Sequence, residues 1–126
     1  MTEKTVLIVE DEGLIALHLT ETLENRRFRI IGTVHSGEMA LQTLEKSQKP
    51  DLIIMDIGLT GSLDGIETAR KIRQQYTIPI IFLTAYSDKN RMEKAKELSA
   101  VEYLIKPVTE EDLLTAIRNA LDMPKP

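Results

Sequence analysis

The sequence predicts an α/β protein: a doubly wound (βα)5 sandwich built on one five-stranded parallel sheet. Short apolar runs alternate with longer amphipathic stretches five times over, which is the rhythm of βαβ units. The first run, Thr5-Val9, is near-continuously apolar, as a strand covered on both faces must be. Polar residues follow four of the runs, and in an open parallel sheet such positions converge on one crevice. Right-handed crossovers put helices on both faces, and the strand order expected is 2-1-3-4-5. With 126 residues the chain reads as one domain, 1–126, with a core from about 4 to 122 and a fraying tail at 123–126.

After Thr5-Val9, the stretch from Gly13 to about Asn25 predicts a helix, and Phe28-Val34 a second strand. Ser36 suits the cap of a helix reaching about Lys46. Lys49-Pro50-Asp51 breaks the chain before strand three, Leu52-Met55. A glycine-containing loop, 57–63, precedes Asp64, which can cap a helix from Gly65 to about Tyr76. Pro79 sets up strand four, Ile80-Leu83, and Ser87 is the expected cap of a helix to about Leu98. Strand five is Val101-Ile105, and Thr109 with Asp112 opens a last helix to about Leu121.

Composition removes several function classes. No cysteine is present, so disulfides, thiolate zinc sites and cysteine nucleophiles are excluded, in keeping with a cytoplasmic location. A net charge of −4 without a Lys/Arg block argues against direct nucleic-acid binding. No apolar segment approaches the ~20 residues a bilayer span needs, and no secretory signal is seen. Two phenylalanines, three tyrosines and no tryptophan make a poor base-stacking platform.

The strand ends carry the chemistry. Glu10-Asp11 follows strand one, Asp56 strand three, Thr84 strand four and Lys106 strand five. Three carboxylates brought together repel, which raises their pKa values unless a cation intervenes. Mg²⁺ or Mn²⁺ takes oxygen ligands and keeps several waters, so two side chains and a backbone carbonyl suffice. No His or Cys lies in these loops, which disfavours zinc. An ionised Asp56 can attack phosphorus as a nucleophile, while Lys106 and Thr84 neutralise and bond the equatorial oxygens.

The runs "VLIVEDE", "LIIMDI", "DGIE", "IIFLTA" and "YLIKP", in this order, closely resemble the receiver domain of two-component response regulators, a flavodoxin-like fold. The likeness covers essentially the whole chain and implies Asp56 as phosphoacceptor, Asp11 as direct metal ligand and Glu10 as its acidic neighbour. It further implies a metal-bound carbonyl at Gly58, a cis Lys106-Pro107 bond, and Tyr103 as a rotamer switch paired with Thr84. The implied donor is a histidine kinase or histidine phosphotransfer protein. With no DNA-binding or catalytic domain in the chain, the expected output is protein docking, phosphorelay or a partner domain, with phosphorylation-dependent homodimerisation also open. Two departures bear on metal affinity and phosphoryl lifetime. Glu10 stands where Asp is commoner, and Thr60 replaces a proline in a loop one residue longer than usual.

At about 100° per residue, Ile15, Leu19 and Leu23 mark the buried face of the first helix, with His18 at its rim. Leu14 and Leu17 project away from that stripe and suggest a docking patch, since receivers meet kinase helices there. His18 and His35 read as structural rather than phosphorylated. Residues 89–97 read as a solvated helix face with Met92 and Ala95 inward, in the region of the family's output surface. Tyr86, beside Thr84, is placed to shape water access. A phosphorylation-independent scaffold and a small Mg²⁺-dependent phosphatase with an Asp nucleophile are the rival functions, the latter opposed by Gly58 where a second acid is needed. A flavin-binding domain is a weaker rival because no phosphate-cradling loop follows strand one.

Overall fold

A computed structural model of the chain describes residues 3–46, 48–85, 87–98 and 101–121. The expected fraying tail at 123–126 and the expected role of Tyr86 lie outside the described residues. Five strands alternate with five helices: β1 Thr5–Val9, α1 Gly13–Asn25, β2 Arg29–Val34, α2 Gly37–Lys46, β3 Leu52–Asp56, α3 Gly65–Gln75, β4 Ile80–Thr84, α4 Lys89–Ala95, β5 Val101–Ile105 and α5 Glu110–Leu121. All pairings are parallel and the order is β2-β1-β3-β4-β5.

Period-two alternation divides the strands between two cores. Leu7, Val9, Ile53, Met55, Ile80 and Phe82 pack under α2, α3 and α4. Val6, Ile8, Leu52, Ile54, Ile81 and Leu83 pack under α1 and α5. Because β1, β3 and β4 are covered on both sides, their inner residues are almost completely buried. Each such aliphatic side chain contributes about 1.5–3 kcal/mol of burial, which holds the carboxyl ends of the three strands in fixed register.

Local chemistry sets most helix starts. The Ser36 hydroxyl accepts from the Met39 amide at 3.1 Å, and Thr109 does the same for Asp112 at 3.1 Å. Asp64 and Glu67 form a reciprocal capping box on α3. In α1, Ala16, Leu19, Thr22 and Leu23 are buried, whereas Ile15 is only half-buried. Strand β2 starts at Arg29 rather than Phe28, because Arg27 turns the chain at φ 67° and the Phe28 amide bonds back to Leu23.

Helix α4 departs most from expectation. Asp88, not Ser87, occupies its N-cap position, and no side chain caps it. The Asp88 carboxylate pairs with Arg91 instead, at 3.2 Å. The helix ends at Ala95 rather than near Leu98, since the Glu97 and Leu98 amides bond three residues back, to Lys94 and Ala95.

Gly65 shows how tightly α3 abuts the end of β3. A Cβ there would stand 2.5 Å from the Asp56 carbonyl oxygen and 2.7 Å from the Ile57 Cα, both backbone atoms. Neither can yield without moving the strand end. Gly65→Ala is therefore expected to destabilise the domain by about 1–3 kcal/mol. A urea melt with an unchanged midpoint would refute the packing argument.

Candidate functional site

Sheet register assembles the site. Val9 pairs with Met55, so Glu10 emerges beside Asp56, and Thr84 pairs with Ile105, one residue before Lys106. Backbone bonds extend the order past the strands: the amides of Glu10, Ile57 and Lys106 donate to the carbonyls of Val34, Leu83 and Thr84 at 2.9, 2.8 and 2.9 Å. The Lys106-Pro107 peptide is cis.

Three acids and one ammonium meet there. One carboxylate oxygen from each of Glu10, Asp11 and Asp56 lies within 4.8 Å of the others. The Lys106 Nζ stands 3.1 Å from Glu10 Oε1, 3.5 Å from Asp56 Oδ1 and 3.8 Å from Glu12 Oε1. The Gly58 amide donates to Asp56 Oδ1 at 3.0 Å. Thr60 donates to Asp11 Oδ2 twice, from its amide at 3.2 Å and its hydroxyl at 2.9 Å.

The electrostatics follow from burial and neighbours. Glu10 is fully buried, and burial together with the adjacent Asp56 carboxylate pushes its carboxyl up to about 7 against the pull of Lys106. For Lys106, burial works to lower the pKa, but Asp56, Glu10 and Glu12 outweigh it and hold the ammonium above the usual lysine range. Burial likewise works to raise Asp11, but the two Thr60 bonds and Lys106 help bring it below the ordinary aspartate value. Buried Glu10 Oε2 has no hydrogen-bond partner among the described residues. An orphaned buried carboxylate oxygen beside two more acids fits a hard divalent cation, and the all-oxygen donor set suits Mg²⁺ or Mn²⁺ rather than zinc.

The remaining expected residues are placed more variously. Thr84 is buried, and its hydroxyl donates to the Ala85 carbonyl at 3.2 Å rather than to any acid of the cluster. Tyr103 is half-buried and packs against the core under α2, α3 and α4. Leu14 and Leu17 are 84% and 55% exposed on α1. His18 is exposed, and the His35 Nδ1 lies 3.0 Å from the Glu10 carbonyl oxygen.

Two charged residues near the site were not evident from the sequence. Glu12 supplies a third carboxylate to Lys106. Arg91, expected on a solvated face, bridges Asp88 at 3.2 Å and Asp64 at 3.4 Å. A Cβ on Gly58 would lie 3.5 Å from Asp88 Oδ2, 3.7 Å from Arg91 Nη1 and 3.8 Å from Asp56 Oδ1, so this bridge borders the cluster.

Comparison with known proteins agrees with this geometry. The family model described as "Response regulator receiver domain" matches residues 6–118. The transcriptional regulatory protein PdtaR of Mycobacterium tuberculosis is 39% identical over 118 residues, covering 94% of this chain and 57% of that protein. The alkaline phosphatase synthesis transcriptional regulatory protein PhoP of Bacillus subtilis is 36% identical, covering 94% of this chain and 48% of that one. The chain thus spans about half the length of these curated relatives. Among solved structures, the signal receiver domain of a modulated diguanylate cyclase from Desulfovibrio desulfuricans G20 superposes with a TM-score of 0.87 at 36% identity, over 95% of this chain and 94% of that one. With a receiver model matched along most of its length and receiver domains as structural neighbours, this chain belongs to the response regulator receiver domain family and serves two-component signal transduction.

Proposed function

We propose that Asp56 is the phosphoacceptor, taking its phosphoryl group from the phosphohistidine of a histidine kinase or histidine phosphotransfer protein. The observation that carries this reading is the Lys106 ammonium within 3.5 Å of Asp56 Oδ1, inside a cluster of three acids. An Asp56 oxygen attacks phosphorus; the new O–P bond forms as the P–N bond breaks, and its electron pair stays on the donor imidazole. No general base is needed, because the carboxylate carries no proton to remove. Lys106, held protonated by its acidic neighbours, neutralises charge on the equatorial oxygens.

The carboxylates of Glu10, Asp11 and Asp56 and the carbonyl of Gly58 would hold Mg²⁺ or Mn²⁺. When bound, that ion neutralises the acids and offers positions to phosphoryl oxygens. Phosphorylation adds roughly −1.5 to −2 charge beside Lys106. Thr84 then exchanges the Ala85 carbonyl for a phosphoryl oxygen, and Tyr103 moves into the space behind it. A near-complete switch requires an ~10⁴-fold preference of phosphoryl for one of two states. Output partner docking, or pairing of two phosphorylated copies, reads that state, in a cytoplasmic setting. Receiver domains are phosphoacceptors rather than turnover enzymes, and self-catalysed gain and loss of phosphate is the chemistry proposed for this one.

Incubation with acetyl phosphate and Mg²⁺, followed by intact mass, tests the reading: wild type gains one phosphoryl group and Asp56→Asn gains none. Unmodified wild type would support a phosphorylation-independent scaffold instead.

The donor's approach is proposed along α1. Leu14, Ile15, Leu19, Pro107 and Val108 line an apolar groove of about 370 Å³ next to the cis peptide, with exposed Leu17 on the same helix. Leu14→Lys combined with Leu17→Lys is expected to slow transfer from a phosphorylated kinase or phosphotransfer protein about 10-fold or more, leaving acetyl phosphate unaffected. Equal slowing with both donors, in a stopped-flow or gel assay, would count against a docking role.

A further inference from the structure

We infer that Thr60 is a positioning residue for the divalent cation, acting through Asp11 and built on the departure of this loop from the usual receiver pattern. The inference rests on the cation reading given above. The loop after β3 grips two of the three acids from one side: the Gly58 amide holds Asp56 Oδ1 at 3.0 Å, and Thr60 holds Asp11 Oδ2 through amide and hydroxyl at 3.2 and 2.9 Å. Asp11 is the least buried of the three acids. Without a partner its side chain would be free to turn to solvent. Two donors on one oxygen fix its rotamer and favour the ionised form, and a carboxylate has further lone pairs to offer a ligand.

The contact spans 49 positions in sequence, so it also ties the loop to the β1 end of the crevice. A proline at this place, as the family pattern has it, could supply neither donor. The Thr60–Asp11 contact thus anchors a loop that is longer than the family pattern and contains glycine. Gly61, the next residue, adopts φ +106°, a backbone conformation that favours glycine. Hydrogen bonds to a ligating carboxylate commonly control affinity 10–100-fold when removed.

The test is Mg²⁺ and Mn²⁺ titration by calorimetry on wild type, Thr60→Ser, Thr60→Val and Thr60→Pro, with melting temperatures in EDTA recorded alongside. Thr60→Val keeps the amide and loses the hydroxyl, and is expected to weaken Mg²⁺ about 10-fold, the low end of that range. Thr60→Ser is expected to bind as wild type, and Thr60→Pro, lacking both donors, to bind less tightly than Thr60→Val. In an Asp11→Ala background, which removes the acceptor, the Val substitution is expected to add nothing, since the two residues act as one unit. Unchanged affinity in Thr60→Val beside a wild type that binds would overturn this inference alone. The same loss in Thr60→Ser as in Thr60→Val would also overturn it. A wild type with no saturable Mg²⁺ binding would overturn the cation reading, and the inference with it.

Discussion

Lys106→Ala is expected to slow phosphorylation of Asp56 by acetyl phosphate about 10²–10³-fold, the effect of deleting one preorganised donor to developing charge. The ammonium is placed for this by three acids at 3.1, 3.5 and 3.8 Å, which also hold it protonated. Its loss leaves Glu10 buried next to Asp56 with no cation. Breaking a buried pair in this way ordinarily costs about 3–5 kcal/mol. Here the cost is capped, because Glu10 already stands near 7 and takes up a proton instead. A large loss of rate with a modest fall in melting temperature is therefore the expected combination. Pseudo-first-order labelling rates, read by intact mass at several acetyl phosphate concentrations, check it. A variant labelled at the wild-type rate would remove Lys106 from the reaction.

The second large effect concerns Glu10 and pH. In EDTA, the folded-state value of about 7 lies above the ordinary 4.5, so the folded protein binds the extra proton more tightly than the unfolded chain. The stability Glu10 contributes is fully present below about pH 4.5 and is lost as pH rises through 7. Lys106, shifted above its ordinary 10.5, and Asp11, shifted below 3.8, change stability at the alkaline and acid ends, outside that window. Glu10→Gln cannot ionise, so its stability relative to wild type is expected to grow between pH 5 and 8. The difference at pH 8 should be on the order of 2–3 kcal/mol, a shift of several degrees in melting temperature. Adding Mg²⁺ at pH 8 is expected to raise the wild-type midpoint and to leave Glu10→Gln nearly unmoved. Parallel pH profiles for the two proteins would show that Glu10 is not the group that titrates.

Most of the fold was legible because its signals are local. Apolar runs with period-two burial define β1, β3 and β4, and the Asp64-Glu67 capping box starts α3 within four residues. The order 2-1-3-4-5 follows from strict alternation and crossover handedness, and it brings the strand ends together. What was missed depends on competition between partners distant in sequence or space. Asp88 is drawn to Arg91 and away from capping, so α4 begins later than a Ser87 cap predicts. Arg91 turns from the expected solvated face toward Asp64, a contact no helical periodicity encodes. Thr60 stood out as a substitution in a motif, but its bond to Asp11 is a property of folded space. The Thr84 hydroxyl, expected to bond a phosphoryl oxygen, donates in this structure to the neighbouring Ala85 carbonyl, a local bond that strand periodicity does not encode.

The proposal that phosphorus resides on Asp56 is tested most directly by chemical trapping. Borohydride reduces an acyl phosphate to an alcohol, converting a phosphorylated aspartate to homoserine. Protein treated with acetyl phosphate and Mg²⁺, reduced, digested and sequenced by mass spectrometry is expected to carry homoserine at position 56 and at no other acidic residue. Homoserine at Asp11 or elsewhere, with Asp56 intact, would contradict the account.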